Sequence, residues 1–223
     1  MFGLNEKEMK ILKELNTPSK IQDFIENLEI NFEKKGDSCM SPRKVLATRK
    51  AHCIEAAIFA CAALKINNHP PLLVDLTANK KDYDHVIAVF KKGNYWGAIS
   101  KSNRGVLKYR DPIFKSIREL VMSYFNEYFL DDGKKTLRSY TLPINLNKFD
   151  KFNWMTSEED IWFIPEHLVD AKHFPLLTKN QIFSLRKAEP IEVHVGKIQQ
   201  WKPDGEKAIK IKYKRDKKAR MEV

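Results

Sequence analysis

The stretch "CIEAAIFACAALK", residues 53–65, constrains this chain more than any other. Its two charges, Glu55 and Lys65, lie near its ends, and the nine positions between them are all apolar, five of them alanine. Alanine is the best helix former, and "NNHPP" directly after the stretch stops a helix. A helix apolar on nearly all sides is buried on nearly all sides. The remaining elements therefore have to enclose it, and 223 residues with 43% hydrophobic and 11% aromatic content are enough for such a core.

Before it, "MKILKEL" and "KIQDFIENLEINFEKKG" carry apolar residues at helical spacing. Ile21, Phe24, Ile25 and Leu28 share a face of the second, for which Ser19 is the candidate N-cap. "SPRKVLATRKA" reads as a short helix with Pro42 in its first turn. After residue 71 the period changes from helical to alternating. "LLVDL", "HVIAVF" and "YWGAIS" read as strands, the last two joined by the turn "KKGN" into an antiparallel hairpin, and "GVLKYRDP" adds a further short strand. "IFKSIRELVMSYFNEYF" reads as an amphipathic helix, and "TSEEDIWFIPEHLVDA" as one capped by Thr156 or Ser157 and interrupted at Pro165. "IEVHV" and "AIKIKYK" alternate around "PDGE" and predict a terminal β-hairpin. Helices segregated from a block of hairpin-connected strands indicate an α+β fold. The expected division is a domain over residues 1–190 and a basic hairpin or tail over 191–223.

Cys53 begins the alanine-rich helix, behind Arg49 and Lys50, and His85 begins a strand. Free N–H groups and the helix dipole favour a thiolate at that terminus. They also favour an oxyanion that develops beside it. An imidazole facing the sulfur completes the minimum for covalent acyl chemistry. Cys61, two turns deeper among alanines, reads as core, and Cys39, in "GDSCMSP", as an accessible ordinary thiol. His52 reads as a local electrostatic helper or a cap, because adjacent helix residues do not face each other. Glu55 reads as a first-turn charge that stabilises the helix N-terminus. Asp84 is expected on the sheet face opposite His85, Asp75 is a weaker candidate for orienting that histidine, and His167 and His173 do not stand at a metal-ligand spacing. The three cysteines form neither a disulfide framework nor a zinc pattern.

The order of a cysteine on an alanine-rich helix, a histidine on a later strand and an acid after it resembles the transglutaminase-like branch of the papain-type fold. The resemblance rests on "HCIEAAIFACAALKINNHPPLLVDL", "DHVIAVFKKGNYWGAISKS" and "YRDP", a core region of about residues 45–130. "MSYFNEYF" and "WMTSEEDIW" continue the likeness to bacterial members of that superfamily. It implies a central Cys-bearing helix against an antiparallel sheet, with Cys53 as nucleophile and His85 as its base. It also implies acyl transfer or hydrolysis of an amide or peptide through a thioester, with no cofactor and no metal. The family places its aspartate a few residues after a tryptophan on the strand following the histidine. Here Trp96, a residue expected to pack over the site or core, is followed by Ser100 at that place, and Asp111 is the next acid along. Asp111 is the favoured third member and Ser100 the alternative.

Charge adds two rival functions. The net charge is +11, of which the 27 residues from Lys197 carry +6. Nucleic acid or an anionic surface is thus a candidate partner of the tail, besides a protein or amide substrate at the thiol. Without an orienting acid the same scaffold becomes a binding module. The charged start "MFGLNEKEMKILKEL" lacks a signal-peptide core, and no apolar run reaches the roughly 20 residues of a membrane span. The expectation is a soluble, cytoplasmic protein.

Overall fold

Three capped helices line up ahead of the alanine-rich one. Helix α1 (Glu6–Glu14) opens with a reciprocal cap: Asn5 Oδ1 accepts from the Glu8 N–H and Glu8 Oε2 from the Asn5 N–H. Helix α2 (Pro18–Glu26) is capped by Thr17 Oγ1, two residues before the expected Ser19, because Pro18 fills the first helical position. Helix α3 (Pro42–Thr48) is capped by Ser41 and ends at Arg49, whose φ of 58° turns the chain away. All three pack against α4 (Cys53–Ile66), in which residues 55–64 are buried without exception. The stacked pair Phe24 and Phe59, ring centroids 5.0 Å apart, locks α2 to α4. The computed structural model describes residues 2–34 and 36–208.

Strands β1 (Leu72–Ala78), β2 (His85–Lys92), β3 (Tyr95–Ile99) and β4 (Arg110–Phe114) form an antiparallel meander. Helix α5 (Ile117–Met122) follows, then β5 (Leu137–Thr141), β6 (Ile144–Asn145), α6 (Phe163–Asp170), β7 (His173–Pro175), α7 (Lys179–Phe183) and α8 (Pro190–Gly196). The sheet order is β4-β3-β2-β1-β5-β7, with β6 also paired to β1. This is an α+β fold on an antiparallel sheet. Leu73, Val86, Ala88 and Ile99 face the α4 side, and Val74, Ile87, Val89 and Ala98 pack with Leu120, Val121 and Tyr124 on the other. Covered on both faces, β2 is buried from His85 to Phe90, which is why it reads as a continuous apolar run. Gly97 is required where β3 crosses it: a Cβ there would lie 2.5 Å from the Phe90 ring and 2.8 Å from the Arg110 carbonyl.

Several elements differ from expectation. The stretch 113–129 is not one helix: Ile113 and Phe114 complete β4, α5 stops at Met122, and a 3-10 turn spans Phe125–Glu127. Residues 156–162 are irregular, and α6 starts only at Phe163, with Pro165 in the first turn, where a proline's missing N–H costs nothing. "IEVHV" is helical within α8 rather than a strand, because Pro190 and the Glu189/Glu192 cap set a helix start that outweighs its alternation. The "PDGE" turn does form, closed by the bridge between Trp201 and Lys207, while "AIKIKYK" lies beyond the described residues save for Ala208. The start of the basic segment is docked. Trp201 is buried and exchanges two hydrogen bonds with Asn103, and Gln200 Nε2 donates to the Glu26 carbonyl at the end of α2. Among the described residues no helix is long and apolar enough to cross a membrane.

Candidate active site

A cleft of about 650 Å3 opens at the N-terminus of α4. It is lined by Cys53, His52 and His85 together with residues 81–84, 101–104, 106–107 and 127–132. Cys53 is half-buried at the first position of its helix, while Cys39 and Cys61 are fully buried. The accessible Cys39 expected from the sequence is therefore corrected: the loop that holds it is pinned to Glu55 and folded inward. Burial, then the Glu55 charge, raises the Cys39 thiol far above its ordinary range, and burial alone raises Cys61. At Cys53 burial acts in the same sense. It is outweighed by hydrogen bonds from His52 and His85 and by their charges, which hold this thiol well below the ordinary range.

His85 is buried, with Leu76 opposite it on β1. The β2–β3 ladder pairs Ala88 with Ile99. Extended by one residue, this register sets Ser100 opposite Ile87, on the same sheet face as His85 and diagonal to it. His85 Nε2 lies 2.8 Å from Ser100 Oγ, and that hydroxyl donates its one proton to the Leu107 carbonyl at 2.6 Å. Ser100 can then only accept from the imidazole. Nε2 of His85 carries a hydrogen, and Nδ1 is left for the sulfur.

The backbone of Ser100 is clamped by Gln22, whose amide donates to the Ser100 carbonyl (2.8 Å) and accepts from its N–H (2.9 Å). Leu107 has a φ of 60°, rare for leucine. It is held there by Ser100 at its carbonyl and by Glu127, itself paired with Arg110 at 2.7 Å, at its N–H. Such strain persists where the surroundings over-determine it.

Of the expected third members the structure brings Ser100, not Asp111, to the histidine. Asp111 is exposed on edge strand β4 and makes no hydrogen bond to His85. Trp96 does not line the cleft; it pairs with Phe114 across the β3–β4 ladder, under the Lys91 ammonium. Arg49 and Lys50 do not supply the positive charge either, since Arg49 lies over the Phe24 ring and Lys50 is paired with Glu29. Asp75 binds His173 at 3.0 Å, not His85, and His167 packs edge-on against Phe149. Among the described residues no group of three His, Cys, Asp or Glu is placed to hold a metal.

The group next to the thiol is His52, which the sequence reads as a local electrostatic helper or a cap, and a cap it is. It is the N-cap residue, with extended backbone (φ −91°, ψ −172°), so the rule that helix neighbours point apart does not govern its side chain. Its Nε2 lies 3.1 Å from the Ser38 carbonyl, 3.4 Å from Glu33 Oε1 and 3.5 Å from Glu55 Oε1. Glu55 is fully buried and accepts from Ser38 Oγ, Asn31 Nδ2 and the N–H groups of Met40 and His52. Burial disfavours the charged imidazole, but the bond to Cys53 and the Glu55 charge push its pKa up to about 9. The available signal was the spacing "HCIE": a cap residue with glutamate three positions on is a capping-box pattern, though histidine is not among the usual caps. No protein-family model matches the chain, and no curated protein matches it.

Proposed function

We propose that the chain is a cysteine-dependent acyl transferase or amide hydrolase on a papain-type, transglutaminase-like scaffold. The observation that carries the reading is a half-buried cysteine at a helix N-terminus, flanked by two imidazoles and open to a cleft. The Cys53 thiolate attacks the carbonyl carbon of a carboxamide or peptide, a C–S bond forms, and the π pair moves to oxygen. The first-turn N–H groups of α4 are the donors available to that oxyanion. Collapse breaks the C–N bond, and the departing amine takes the proton that His85 received from the thiol. Water or a second amine then attacks the thioester, giving His85 a proton that returns to the sulfur as the acyl group leaves. Every step uses side chains of the chain itself, and no cofactor enters. Ser100 orients the imidazole without lending it negative charge, so His85⁺ lacks the carboxylate support a Cys-His-Asp arrangement would give.

p-Nitrophenyl acetate serves as the test acyl donor. The protein should gain one acetyl group on Cys53 at neutral pH, seen by intact mass and peptide mapping, and lose it to added hydroxylamine. Cys53→Ala should abolish the adduct and His85→Ala slow its formation about a hundredfold or more, within the range of general-base effects. A wild-type protein that acquires no acetyl group there would leave the binding-module reading in its place.

A further inference from the structure

Two histidines line the cleft beside one sulfur and lower its pKa, yet acyl transfer needs only one of them to move a proton. What stands behind each ring differs. His52 Nε2 faces a carbonyl and two carboxylates, none of which has a proton to give, so this nitrogen is held as a donor. His85 Nε2 faces a neutral hydroxyl already committed to the Leu107 carbonyl. A carboxylate that is fully buried and saturated with donors, as Glu55 is, favours a permanent cation next to it. A serine oxygen does not.

We infer that His52 is the standing cation that makes Cys53 a thiolate, and that it keeps its proton throughout the cycle while His85 carries the proton that moves. The inference rests on the acyl-transfer reading above. The charges balance: Glu55 offsets His52⁺ in the resting site, the thiol proton passes to His85, and the thiolate then lies between two imidazolium rings. Only the His85 proton leaves with the amine. The titratable groups facing His52 are Cys53 and Glu55 on its own helix and Glu33 from the 29–41 loop. His85 on β2 also faces the sulfur, and Lys81, Asp82 and Asp84 line the same cleft. The elevated pKa of His52 agrees with this assignment.

The experiment is the pH dependence of Cys53 alkylation by iodoacetamide, assigned by mass spectrometry, in the full chain and in His52→Gln, His52→Lys and His85→Gln. His52→Gln should raise the inflection by about 1.5 pH units or more, slowing labelling at about pH 6 some thirtyfold. His52→Lys, which returns a cation, should bring it most of the way back, and His85→Gln should move it less than His52→Gln. An unmoved inflection in a folded His52→Gln, or a larger shift in His85→Gln, overturns the assignment. If the wild-type inflection already lies near 8.5, the value of an ordinary thiol, the acyl-transfer reading itself fails. Should His52→Gln not fold, histidine NMR on the wild type decides: the His52 ring should remain protonated at about pH 8, and a neutral ring there refutes the inference.

Discussion

At Cys61 helix α4 meets only packed apolar neighbours, whereas two turns earlier, at Cys53, the same helix ends in two imidazoles, a buried glutamate network and a cleft. Both sulfurs are withdrawn from water to a large degree, and burial alone pushes both thiols up. The difference lies in what else each one touches. Desolvation without partners makes Cys61 an inert small hydrophobe. Around Cys53 the same desolvation is outweighed by the hydrogen bonds and charges of the two imidazoles. Under the proposed function, reactivity belongs to the helix mouth and stability to the helix body.

The sharpest way to break that division is to injure the body. Phe59→Ala removes a fully buried ring stacked on Phe24 and should cost about 3–5 kcal/mol in denaturant unfolding. Cys53→Ala, at the mouth, should stay within about 1 kcal/mol of wild type, and a comparable loss there would merge the two regions. Next comes chemistry. In the native protein iodoacetamide at about pH 6 should label Cys53 at least a hundredfold faster than Cys61 or Cys39, since two units of thiol pKa already give that ratio. Equal rates would mean that the body opens as readily as the mouth.

A third test uses Lys101, buried behind the cleft with its ammonium donating to the Ile25 and Leu28 carbonyls, both at 2.8 Å. Burial lowers its pKa to about 7, below the ~10.4 of an exposed lysine. Between those values the unfolded chain binds more protons than the folded one, so this residue makes stability rise with pH across that window. His52 works the other way. Its pKa is raised above the unfolded ~6.5, so its contribution is complete below that value and is lost as pH rises through about 9. Lys101→Met should lower the pH slope of unfolding free energy above pH 7 by up to about 1 kcal/mol per unit, and His52→Gln should raise it over the same range. The smallest effects separate the two candidates for the third site position. Ser100→Ala should cost about 1 kcal/mol and slow acetylation, whereas Asp111→Asn should change stability by less than about 0.5 kcal/mol and leave acetylation untouched.

The helix body was legible because its signal is local and redundant: ten consecutive buried positions all say the same thing. The β2–β3 hairpin was legible too, since "KKGN" with Gly93 at φ 58° fixes both turn and register. Ser100 was ranked below Asp111 because the ranking rested on chemistry, a carboxylate being the better support for an imidazolium. Register decided instead: Ser100 falls diagonal to His85, and Asp111 falls on an exposed edge strand. His52 was legible as a cap or electrostatic helper, but the neighbours its ring meets were not, since a cap side chain follows one residue's backbone angles, which no periodicity reveals. "IEVHV" was misread because alternation and capping conflict there, and a seven-residue helix leaves too short a record for periodicity to arbitrate.

The saturation of α4 with small side chains has a consequence for motion. Backbone amides in the middle of this helix are covered on every side, so their exchange with solvent deuterium waits for the whole protein to open. Cys53 stands at the first position of that helix, one turn from its protected centre. Along the cleft the exposed residue is Tyr83, 91% exposed, on the loop between β1 and β2. A deuterium-uptake map should show slow exchange at the centre of α4 and faster exchange around Tyr83, and a bound acyl donor should add protection at Tyr83 rather than at the helix centre.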